Sequence, residues 1–181
     1  MRFPEKKIVL RDHCQATLRS PEACDAPALL ACMQTIFTET EYLSFEPEEF
    51  TFTEEQEAAF LTELADSDDR MMILCEVDGR VVGNCHLFRQ NKLRMQHRAE
   101  LGISILREFW GQGIGGVMFD ALIETGNKLH LRQLELEVVA ENERALRLYE
   151  RKGFSLVGTF PNAMRMKDGR FLDTCYMVKL L

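Results

Sequence analysis

A chain of 181 residues, 46% apolar and 28% charged, has the composition of one folded domain with its own core. No apolar run approaches the about 18 residues that a membrane span needs, and Met1–Lys7 lacks the apolar stretch of a secretory signal, so a cytoplasmic protein without membrane contact is expected. The net charge is −7, and the segment from Ser20 to Asp69 holds 14 acidic residues and no lysine or arginine, which argues against a nucleic-acid partner. Such a segment fits either a cationic substrate or a solvated helical face.

In chain order, Lys7–Arg11 and Gln15–Arg19 are two short β-rich runs separated by Asp12-His13, read as a strand or hairpin, with residues 1–14 an N-terminal extension or extra strand. Ser20-Pro21-Glu22 reads as a helix start. Ala28, Leu29, Cys32, Ile36 and Phe37 then share one face of a helix ending near Glu39. Tyr42–Phe52 is irregular. Thr53 caps a second helix, with Gln56 completing a capping box. Met71–Val77 and Arg80–Arg89 flank Asp78-Gly79, the signature of a two-residue hairpin turn. Gln90–His97 is a polar connection into a strand over Arg98–Ile105, and a helix follows from about Gly115 to Lys128. Gln133–Ala140 alternates like a strand. Asn142 caps another helix that ends at Gly153, and Phe154–Met166 and Phe171–Leu180 form a second hairpin about Lys167–Arg170. Together these elements predict an α/β (α+β) layered fold, with Arg98–Ile105 and Gln133–Ala140 joined as a right-handed parallel crossover.

The six cysteines include no CxxC, and a chain this size without an export signal does not depend on disulfides. The four histidines show no ligand spacing with each other or with cysteine, so no metal is expected.

The densest signal is Gly111-Gln112-Gly113-Ile114-Gly115-Gly116 at the opening of a helix. Amides at a helix N-terminus with no side chains in the way make a phosphate cradle. Gly111, Gly113 and Gly116 also satisfy GxGxxG, which brings a dinucleotide-dependent oxidoreductase into consideration. That fingerprint belongs directly at a strand end within a doubly wound parallel sheet. Here Leu106–Trp110 intervene and an antiparallel hairpin precedes.

The wider pattern, ISILREFWGQGIGGVMFDALI at 103–123 with LELEVVAENERALRLYERKGF at 134–154, resembles the GNAT N-acetyltransferase superfamily over roughly residues 15–180. The resemblance implies a mixed, mostly antiparallel sheet flanked by helices, with a central parallel pair splayed to hold CoA. It further implies transfer of an acetyl group from acetyl-CoA to a primary amine, whether polyamine, protein N-terminus, lysine or small molecule. A homodimer is expected on the same ground. By that resemblance the amides of Gly111, Gln112, Gly113, Ile114, Gly115 and Gly116 hold the pyrophosphate. The main chain of Ile103, Ser104 and Ile105 pairs with the pantetheine arm, Asn142 contacts the cofactor, and Tyr149 sits near its sulfur as proton donor. Trp110 stands where the superfamily often has Gln or Arg. A non-catalytic acyl-CoA-binding module is the alternative from another class.

Amide formation needs a neutral amine, and one with a pKa of about 10.4 costs roughly 4–5 kcal/mol to deprotonate at pH 7. Glu100 and Glu137 are the candidate bases. Both lie on the central strands at positions where similar enzymes carry an acidic residue, and Glu135 shares the face of Glu137. Asn142 and Tyr149, seven apart, share a helix face. Arg144, Arg147 and Arg151 on that helix are candidates for phosphate contact or a solvated basic face.

Overall fold

The computed structural model describes all residues, Met1–Leu181, in two compact units: Met1–Phe88 with Gly102–Met118, and Arg89–Leu101 with Phe119–Leu181.

In the first unit β1 (Lys6–Val9) and β2 (Gln15–Arg19) pair antiparallel, β2 pairs with β3 (Arg70–Val77), and β3 with β4 (Arg80–Arg89). The C-terminal half of β5 (Arg98–Ile105) completes the row β1-β2-β3-β4-β5. The β3–β4 turn has Asp78 at φ 48° and Gly79 at φ 78°, the left-handed pair that Asp-Gly predicts. Two helices, α1 (Ala26–Glu39) and α2 (Glu54–Asp66), bury Leu29, Ile36, Phe37, Leu61 and Leu64, and the strands bury Leu18, Ile73 and Leu87. Thr53 caps α2 as expected: its hydroxyl accepts from Gln56 N at 3.2 Å, and Gln56 Oε1 accepts from Thr53 N at 2.9 Å.

The start of α1 corrects the sequence reading. The N-cap is Asp25, with Pro27 in the first turn, and Ala23–Asp25 forms a preceding 3-10 turn. Ser20 instead accepts from Phe3 N at 2.7 Å. Asp25 is fixed there by two 2.7 Å bonds from the Arg19 guanidinium, which also reaches Glu76 at 2.9 Å. The first strand likewise stops at Val9, two residues short of Arg11, whose amide turns to bond Gln112 O at 3.3 Å.

In the second unit the order is β5-β6-β8-β7, with β6 over Gln133–Val139, β7 over Ser155–Arg165 and β8 over Phe171–Leu180. β6–β8 and β8–β7 are antiparallel. The parallel ladder between β5 and β6 runs from Arg98↔Gln133 to Glu100↔Glu135. The α3 helix (Ile114–Lys128) closes the crossover and α4 (Glu143–Arg151) follows β6. Phe119, Leu122, Leu134, Leu136 and Phe154 are buried beneath them. At Gly126 an added Cβ would lie 3.0 Å from Leu134 Cδ2, so this glycine sets how closely α3 packs on β6. The mixed, mostly antiparallel architecture with one parallel pair is the one the sequence predicts. No helix is long and apolar enough to cross a membrane.

Candidate active site

In the first unit the glycine loop forms an open cradle. Gly111 and Gly113 hold φ of 79° and 94°, and a Cβ at either would meet nothing within 4 Å. Both oxygens of Gln112 are engaged: Gln112 O accepts from Arg11 N and Gln112 Oε1 from Asp12 N, at 3.3 and 3.2 Å. The turn between β1 and β2 thereby anchors the loop from behind. The first amide to close a helical bond is Val117 N, to Gly113 O at 3.3 Å. The amides ahead of it are the helix-terminal donors that suit a pyrophosphate.

Trp110 has a structural use that sequence reasoning missed. Its indole N–H donates to Ile105 O at 2.7 Å, and the Arg107 guanidinium lies 5.5 Å above its ring. Ile105 is fixed again by its neighbour, since Leu106 N donates to Val82 O at 2.9 Å. Gly83 on β4 packs directly on this segment: a Cβ there would lie 2.6 Å from Ser104 O. The end of β5, with Ile103, Ser104 and Ile105, is therefore held on both sides.

In the second unit Asn142 is the N-cap of α4, its Oδ1 accepting from Ala145 N at 3.2 Å. Tyr149, two turns further along the helix, is 7% exposed, its ring 4.9 Å from Phe119 and 6.3 Å from Phe154. Burial pushes its hydroxyl up to about 12, opposed by the nearby Arg144 charge, so it stays protonated and able to donate. Arg147 pairs with Glu143 at 2.8 Å on the exposed side of the helix.

The face of the second unit's sheet opposite Leu134 and Leu136 carries the carboxylates. Glu135 is engaged by Arg98 at 3.4 Å and by Gln133 at 3.0 Å, which marks it as structural. Glu137 accepts a short hydrogen bond from the Thr174 hydroxyl and another from the Tyr176 phenol, its cross-strand partner. The Glu137 charge, that bond and the Glu100 charge together raise the Tyr176 pKa. The Glu100 carboxylate is exposed and makes no hydrogen bond with the protein. The sequence offers Glu100 and Glu137 as candidate bases and gives no sign of Thr174 and Tyr176, which only the β6–β8 register brings to Glu137.

Cys32 and Cys75 are buried thiols pushed up to about 12, Cys85 is raised further, and all six cysteines are unpaired. The three buried, raised thiols lack the thiolate character of a nucleophile.

Residues 33–154 match the Acetyltransferase (GNAT) family. The L-amino acid N-acetyltransferase AaaT of Escherichia coli K12 is 28% identical over 118 residues, 65% of this chain and 72% of that protein. The GNAT-family acetyltransferase of Streptococcus pneumoniae has a TM-score of 0.87 at 28% identity, covering 92% of this chain and 99% of its own. The protein yncA of Salmonella typhimurium, solved with its cofactor acetyl-CoA, shares the fold with a TM-score of 0.80 at 18% identity, covering 92% and 94%. The family match over residues 33–154 and these likenesses agree: the chain belongs to the acetyltransferase (GNAT) family and is an acetyl-CoA-dependent N-acetyltransferase.

Proposed function

We propose that the chain acetylates a primary amine by direct attack in a ternary complex, with the loop 111–116 as its anion cradle. The observation that carries this reading is the open space over Gly111 and Gly113 at the head of α3. Acetyl-CoA supplies an activated acyl group and a thiolate leaving group. Amides of Gly111 to Gly116 bind the pyrophosphate, and Asn142 contacts the cofactor while capping α4. The main chain of Ile103 and Ser104 lines the pantetheine arm, and Ile105 N–H polarises the acyl carbonyl. Trp110 keeps that end of β5 in place.

Glu100 takes the proton from the incoming ammonium, because its carboxylate is exposed and unclaimed, whereas Glu137 is engaged by Thr174 and Tyr176. Glu137 supplies the second negative charge that draws the amine in. Tyr149, held protonated by burial, donates to the departing sulfur. None of these steps calls on a cysteine, which excludes the need for an acyl-enzyme.

The experiment is thiol release from acetyl-CoA on adding a primary amine, in wild type and Glu100→Gln. Wild type is expected to release one thiol per amine, and the variant to lose about 10²-fold in kcat with little change in acetyl-CoA affinity. Binding of acetyl-CoA without amine-dependent release would favour an acyl-CoA-binding module instead.

A further inference from the structure

β4 carries two polar side chains that the reading above leaves unused. Strand alternation puts Asn84 and His86 on one face, and the register sets them beside Leu74 and Met72 of β3. Asn84 is only 7% exposed. Its amide nitrogen donates to Met33 Sδ on α1 at 3.1 Å, a weak acceptor, and no protein group donates to its Oδ1. Every fully enclosed polar side-chain atom in the protein has a partner, so Oδ1 keeps some accessible surface and an acceptor to offer.

His86 is built into the same face. Its ring stacks on Phe88 at 4.4 Å and 24°, and it lies against Gly102 of β5, where a Cβ would overlap it. Its nitrogens make no hydrogen bond with the protein. Burial pushes its pKa down to about 4, so the ring is neutral near pH 7. Asn84 adjoins Gly83, which packs on Ser104 and Ile105, so the pair stands beside the strand assigned to the pantetheine arm.

A buried amide and a neutral imidazole offer donors and acceptors but no charge. A second ammonium or a free carboxylate would enter this apolar surround without a counter-ion, which is costly. A carboxamide presents one acceptor and one donor side by side, the complement of an Asn side chain. We infer that Asn84 and His86 determine acceptor specificity, selecting an amine that neighbours a carboxamide, as in an amino-acid amide or a peptide N-terminus. This rests on the acetyltransferase reading.

The test compares leucinamide, leucine and 1,4-diaminobutane as acceptors for wild type and Asn84→Leu. Leucinamide is expected to have the highest kcat/KM in wild type. In Asn84→Leu its advantage over the diamine falls tenfold or more, carried by a rise in KM with kcat less affected. The substitution is near isosteric, so an unfolding midpoint at or above that of wild type certifies the fold. Acetyl-CoA protection against unfolding, measured in both proteins, separates the two claims. Absence of protection in wild type refutes the acetyltransferase reading itself. Protection in both, with no preference for leucinamide or no change in its KM on substitution, overturns the inference and leaves that reading intact.

Discussion

Gly83→Ala tests how rigidly the end of β5 is held. The added Cβ would lie 2.6 Å from Ser104 O and 3.0 Å from Ile105 Cα and Cγ1, where ordinary contact begins at 3.4 Å. Ser104 O would have to retreat by 3.4 − 2.6, or about 0.8 Å. The two closest of these atoms are backbone, and the segment is tied by Trp110 Nε1→Ile105 O at 2.7 Å and Leu106 N→Val82 O at 2.9 Å. Overpacking of this kind costs about 1–3 kcal/mol. For a chain of this length that lowers the unfolding midpoint by roughly 2–12 °C. A displacement near 1 Å in a segment that positions a reactant costs on the order of 10²-fold in rate. The assays are thermal unfolding without ligand and calorimetric titration with acetyl-CoA, followed by turnover. A midpoint within a degree of wild type together with unchanged acetyl-CoA affinity and rate would refute the reasoning, because it would show that β5 yields freely at Ser104 and Ile105.

Two further outcomes follow from the titrating groups. His86 is neutral in the folded protein down to about pH 4, whereas its ordinary pKa is 6.5, so the unfolded chain binds the extra proton and stability falls as pH drops from 6.5 to 4. The loss is on the order of 2–3 kcal/mol, and a pH series of unfolding midpoints should flatten in that window for His86→Leu. Asp25, its pKa lowered by Arg19, adds a loss only below about pH 4. Tyr149→Phe keeps the ring packing on Phe119 and Phe154 and removes the donor, so kcat should fall about 10²-fold with acetyl-CoA affinity nearly unchanged. An unaltered kcat would make Tyr149 a packing residue.

What was legible in the sequence is what local chemistry decides. Asp78-Gly79 demands its turn, Thr53 and Gln56 satisfy each other within one helical turn, and four glycines in six residues leave an open helix N-terminus. The start of α1 was not legible, because Asp25 outcompetes Ser20 only through Arg19, itself tied to Glu76, 57 residues further on. The pairing of Glu137 with Thr174 and Tyr176 was hidden for the same reason: it depends on the β6–β8 register, which no local pattern encodes. Asn84 and His86 give no signal in the sequence, because a polar residue in an apolar strand shows its unmet hydrogen bonds only once its neighbours are in place.

The most direct measurement is thermal unfolding of wild type and Gly113→Asp with and without acetyl-CoA. At about 100 times its dissociation constant the ligand should stabilise wild type by roughly 2.7 kcal/mol, about 5–11 °C. Gly113→Asp puts a carboxylate into open space at the cradle and strains a backbone at φ 94°, so its own midpoint should drop slightly and the acetyl-CoA shift should vanish. An equal shift in both proteins would contradict the cradle, and no shift in wild type would contradict the account of acetyl-CoA binding.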